Sequence, residues 1–162
     1  MNDADTAVPG SGYTPGESRT IRFDVTNTGT ERLRNVTVSD DTVSGGQVTA
    51  MVCTFPDGVV TAGVVTGDSV VVAWAASFAA APNTEFFEVG AVFSCEATLV
   101  VSGSGDVHSD TATVVATPEF GGDPVKDENT YNAFSGEIKV IKWDGNVSGP
   151  VDGTDGSKAG LA

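Results

Sequence analysis

The sequence predicts an all-β chain folded as a two-layer antiparallel sandwich, and three observations carry that prediction. First, 25 Val and 19 Thr stand against 3 Leu and 3 Ile; β-branched side chains suit a pleated, half-buried surface and crowd the preceding turn of a helix. Second, apolar residues alternate with polar ones over short runs, which in an extended strand collects them on one face. Third, 20 Gly and 7 Pro fall mostly between those runs, where they punctuate about seven short strands at the even spacing of a sandwich. At 162 residues the chain suffices for one such core, or for one module and a piece of another.

Each element follows from its residues. Tyr13-Thr-Pro-Gly-Glu-Ser reads as a turn, after which Ile21, Phe23 and Val25 alternate with Arg22, Asp24 and Thr26 in a strand with one buried face. Asn27-Thr-Gly-Thr is a turn with Gly29 as its positive-φ candidate. Leu33 to Ser39 is then a second strand with Val36 and Val38 on one side, joined to the first as a hairpin or a Greek-key corner. Gln47 to Phe55 places Met51, Cys53 and Phe55 together and ends at the turn Pro56-Asp57-Gly58. The apolar run Ser69 to Phe78 around Trp74 reads as a buried strand, with a short helix as the alternative. Phe93, Cys95, Ala97 and Leu99 alternate in the next strand, and His108 to Thr117 follows the Gly103-Ser-Gly turn. Residues 118–136, rich in Gly, Asp, Asn and Glu, read as a linker, and 137–162 as an isolated strand with a Gly- and Asp-dense tail.

The net charge of −14 repels phosphates and anionic lipid, so neither nucleic acid nor a membrane surface is expected as a partner of this segment. No apolar run reaches the roughly 18 residues of a spanning helix. Met1-Asn2-Asp3-Ala4-Asp5 has neither the cationic start nor the apolar stretch of a signal peptide, so the chain is expected to belong to a longer parent that carries its address.

An ordered set of motifs then emerges: Tyr13-x-Pro-Gly-Glu-Ser, Phe23-Asp-Val-Thr-Asn-Thr-Gly, Leu33-Arg-Asn-Val-Thr-Val-Ser-Asp-Asp, Cys53, Cys95-Glu-Ala-Thr-Leu-Val and Asp110-Thr-Ala-Thr-Val-Val-Ala. This set resembles the tandem "conserved repeat" domains of large secreted bacterial surface proteins, especially of actinobacteria, over residues 11–41 and 93–117. The resemblance implies an immunoglobulin-like β-sandwich with Greek-key connections over residues 1–117, working in a stalk or adhesin and not as an enzyme. Residues 56–92 are longer than that pattern and read as an insert, the place where a host protein or glycan would be recognised if the module were a ligand-binding head. Such units open with a strand of the type I-x-V-x-K before an Asp- and Gly-rich loop. Asn2 to Gly10 is that loop without its strand, whereas Ile138-Lys-Val-Ile-Lys-Trp is such a strand, placed to open a next repeat.

Candidate sites follow, each beside its plainer reading. Cys53 and Cys95, both on the apolar side of strands and in the places of the family's cysteine pair, read as an inter-sheet disulfide of an oxidising compartment; the alternative is two buried thiols. Asp3, Asp5, Asp40 and Asp41 are candidate calcium ligands at one end of the sandwich, the only cofactor considered, against solvated turn carboxylates. Lys139 and Lys142 are candidates for an isopeptide bond with Glu96 or Glu137 as the proton shuttle, against edge charges that discourage aggregation. Ile138, Val140, Ile141 and Trp143 are candidates for docking on an exposed sheet edge of the same or another copy, giving self-association by strand exchange, against an undocked tail. Neighbouring repeats are the remaining expected partner. His108 lacks a second histidine for zinc, and Ser109 points away from it, so no catalytic triad is expected.

Overall fold

In the computed structural model, residues 11–74, 86–101, 107–135, 142–143 and 150–151 are described. They contain no helix. Two sheets face each other. The larger is ordered β1 (Ser11–Tyr13), β10 (Val125–Ser135), β9 (Val107–Pro118), β3 (Leu33–Ser44), β7 (Ser69–Ala73), β6 (Val64–Thr66). The smaller is ordered β2 (Ser18–Thr26), β8 (Val92–Val100), β4 (Gln47–Thr54), β5 (Val60–Ala62). A separate pair joins β11 (Lys142–Trp143) to β12 (Pro150–Val151). Pairing is antiparallel except between β1 and β10, which run parallel.

The alternation read from the sequence is the packing pattern of the core. Val36 and Val38 of β3, Met51 and Cys53 of β4, Val70 and Val72 of β7, and Phe93, Cys95, Ala97 and Leu99 of β8 are all buried. At one end Phe55 stacks on Trp74, with ring centroids 5.1 Å apart, and also meets Phe93 at 5.0 Å. Aromatic pairs of this kind add about 0.5–1.5 kcal/mol beyond area burial.

The Asn27 turn shows why its residues are needed. β2 and β3 lie in different sheets, so the connection is a corner and not a hairpin. The buried Asn27 amide donates to the Glu31 and Phe87 carbonyls, while its oxygen accepts the Gly29 N–H. The side chain thus replaces the ladder that the chain leaves as it crosses. Gly29 is not left-handed; the positive φ expected there occurs at Asn35 (φ 53°), beside the irregularity between Arg34 and Thr37 in the pairing of β3 with β9.

One expectation about organisation is corrected. Residues 118–136 are not a linker throughout: Val125–Ser135 forms β10, paired with β9 over its length. Its polar composition misled because Val125 to Asn129 are exposed, so no apolar alternation marks them. Residues 56–92, read as an insert, contribute a strand to the sandwich: β7 pairs with β3. The strand reading of the Trp74 run holds for Ser69–Ala73; positions 75–78 lie outside the described residues.

The turn between β3 and β4 depends on glycine. Gly45 has φ 54°, and a Cβ there would lie 2.9 Å from the Val107 carbonyl carbon. Left-handed backbone costs an L-residue about 1–2 kcal/mol before any clash. Gly45→Ala is therefore expected to destabilise the fold by at least about 2 kcal/mol, read from urea midpoints at unchanged m-value.

Candidate functional site

The smaller sheet leaves part of the larger one uncovered. β2 ends the smaller sheet, paired on one side only with β8. Beside its free edge an open cleft of about 1270 Å³ runs between the sheets, walled by Phe23 and Val25 of β2, Val114 of β9, and Asp127 and Tyr131 of β10. The register explains the lining: Val114 pairs with Asp127 and Asp110 with Tyr131, so these side chains share the face turned to β2. Ile21 is buried, yet Phe23 and Val25 are only partly so, as no described strand pairs with that edge of β2. Their polar neighbours Arg22 and Asp24 form an ion pair at 2.9 Å on the opposite face of β2. Glu31 also lines the cleft, and its Oε2 is buried with no hydrogen-bond partner among the described residues.

Beneath one end of the core lies a polar cluster that the sequence reading missed. His108 and Asp110 sit two residues apart on β9 and hence on one face, both fully buried, with His108 Nε2 2.7 Å from Asp110 Oδ2. His108 Nδ1 bonds the Gly45 carbonyl. Asp40 on β3 is likewise fully buried, and neither of its oxygens has a partner among the described residues. Burial, followed by the Asp110 charge, raises the Asp40 carboxyl to about 7. For His108 burial pulls downward, but the bonds to Asp110 and Gly45 and the Asp110 and Asp40 charges outweigh it, leaving its pKa raised. Tyr13 donates to or accepts from Tyr131, and burial together with that bond pushes its hydroxyl pKa up. The i, i+2 spacing of His108 and Asp110 was the available signal.

The candidates named from sequence fall as follows. Cys53 and Cys95 are bridged, but within one sheet, as direct register partners on β4 and β8. The inter-sheet assignment is thereby corrected, since inward-facing residues on adjacent strands meet sideways as readily as across the core. Asp40 and Asp41 do not converge: successive strand residues point oppositely, so Asp40 enters the core while Asp41 faces solvent. Asp3 and Asp5 lie outside the described residues, among which no group of three or more His, Cys, Asp or Glu side chains is placed to hold a metal. Glu96 is exposed on β8. Lys139, Ile138, Val140, Ile141 and Glu137 lie outside the described residues. Lys142 and Trp143 form β11 and pair with β12, not with an edge of either large sheet.

No protein-family model matches the sequence, and no curated protein matches it. Among solved structures, the chain is similar to the major pilin subunit BcpA of Bacillus cereus, with a TM-score of 0.52 and 11% identity. The fold is an immunoglobulin-like β-sandwich. That alignment covers 78% of this chain but 37% of BcpA, so the chain spans well under half the length of that relative. The C-terminal domain of the Streptococcus pyogenes antigen I/II-family protein AspA aligns at a TM-score of 0.45, with 15% identity over 81% of this chain and 44% of that one. AvmM, which catalyses macrocyclization in alchivemycin A biosynthesis, aligns at 0.46, with 10% identity over 80% and 87% of the two chains. At such identities likeness speaks to the fold and to nothing finer.

Proposed function

We propose that this chain is a non-catalytic structural and adhesive repeat module of a bacterial cell-surface protein, displayed outside the cell and working as a load-bearing spacer between neighbouring repeats. The observation that carries the reading is the clamp between the first and last strands of the sandwich. β1 and β10 are adjacent and parallel, Ser11 to Tyr13 against Ala133 to Ser135. Tension entering at residue 11 and leaving at residue 135 pulls these strands past each other, loading their hydrogen bonds together in shear. The disulfide supports the same reading, because bridges persist in oxidising compartments.

Single-molecule stretching tests it. Cys53 and Cys95 are 42 positions apart, so the bridge withholds about 150 Å of extension at roughly 3.5 Å per residue. Unfolding in reductant is expected to release that extra length. Gly12→Pro, which removes an N–H and fixes φ within the three-residue β1, is expected to lower the rupture force markedly while barely moving the melting temperature. An unchanged rupture force in that variant rejects the clamp.

A second reading, a head that recognises a host protein or glycan through residues 56–92, is favoured by one observation. Val59, Val60, Val64, Val65 and Val71 are exposed on and around β5 to β7. Against it, Trp74 and Phe87 of that segment are buried, which leaves aliphatic surface but no aromatic platform from those two for a sugar.

A further inference from the structure

We infer that the lane beside β2 is a seat for an added strand, and that its occupant is the segment from Ile138 to Trp143 of a second copy of this chain. The inference rests on reading the chain as one unit of an array. Three observations on the receiving side point to a strand. Among the described residues no strand pairs with the outer edge of β2, which runs for nine residues, a length of about 30 Å. The cleft beside it opens onto the partly buried Phe23, Val25 and Val114, a row that one further strand would cover. The far wall, β10, is exposed from Val125 to Asn129, with Asp127 on the side turned to β2.

The occupant is chosen by pattern and charge. Ile138-Lys139-Val140-Ile141-Lys142-Trp143 has the β-branched and aromatic content of a strand, and in an extended conformation each face carries two apolar residues and one lysine. Ile138, Val140 and Lys142 share one face; Lys139, Ile141 and Trp143 share the other. Whichever face turns inward, an apolar pair meets the Phe23 wall and one ammonium enters a cleft that holds Asp127 and Glu31, whose Oε2 has no partner among the described residues. The other charges of the lining are already committed: Arg19 to Glu17, Arg22 to Asp24, and Lys126 to Glu128. Within one chain Lys142–Trp143 pairs with Pro150–Val151 and not with β2. That pairing uses one edge of the segment and leaves its other edge for the β2 of another copy.

Sedimentation and hydrogen exchange of the full chain test the proposal. The chain is expected to associate as concentration rises, with the β2 amides becoming about tenfold or more better protected in the associated state. Ile138→Asp combined with Val140→Asp is expected to abolish both effects while leaving the sandwich's melting transition in place. Asp127→Lys, at an exposed position, is expected to weaken association by up to about fivefold. A monomer at every concentration overturns the proposal, whether β2 is unprotected or is protected by docking of the chain's own segment. Association that survives the double substitution overturns it as well. Neither result touches the stretching of single modules, which tests the load-bearing role separately.

Discussion

Replacing Asp40 with asparagine is expected to flatten the dependence of stability on pH. Asp40 is fully buried with no partner for either oxygen among the described residues, and its carboxyl is raised from 3.8 to about 7, first by burial and then by the Asp110 charge. A group raised in the folded state binds its proton more tightly there than in the unfolded chain, so stability falls as pH rises between the two values. The contribution of this group is therefore expected to be greatest below about pH 4, to fall up to about pH 7, and to stay at the lower level above it. The loss from this one group is on the order of 4 kcal/mol, since each tenfold gain in proton affinity on folding is worth about 1.4 kcal/mol. His108, also raised, contributes in the same direction: its share is present below the ordinary histidine value and is lost as pH passes the folded one. Asp40→Asn removes only the first of these. Its advantage over wild type should grow by on the order of 4 kcal/mol between pH 4 and pH 8, measured by chemical denaturation at each pH. Parallel stability curves for the two proteins would show that the carboxyl is solvated, contrary to its position.

Loss of the Cys53–Cys95 bridge is the second large effect. The two residues oppose each other on β4 and β8, both fully buried, 42 positions apart in sequence. Closing a loop of that length restricts the unfolded chain by about 4 kcal/mol in the chain-entropy account. The double substitution Cys53→Ala and Cys95→Ala also leaves a small void beside Phe93 and Met51. The variant is expected to fold with a melting temperature about 10 °C lower, at roughly 2–4 °C per kcal/mol for a chain of this size. A shift of under a few degrees would mean that the ladder between β4 and β8 already constrains the unfolded chain without the sulfur bridge.

How much of this was legible in the sequence depends on which side of the sheet a residue serves. The strands through Ile21, Val36, Met51 and Cys95 announced themselves because one buried face imposes a period of two. β10 gave no such signal: its first half is exposed, so selection for burial left no alternation there. His108 and Asp110 were visible as a spacing on one strand, but nothing local says that Asp40 comes within electrostatic range of them. That neighbourhood is created by the pairing of β3 with β9.

By itself, then, the sequence determined the class of fold, the turn at Asn27, the inward faces of the strands and the candidacy of the two cysteines. These are consequences of local backbone preference and of which side chains avoid water. The tertiary structure alone decided that the bridge lies within one sheet, that β1 runs parallel to β10, that three ionisable groups are buried close together, and that no described strand pairs with the outer edge of β2. Each of these depends on the order of strands within the sheets, which is set by long-range pairing and has no period along the chain.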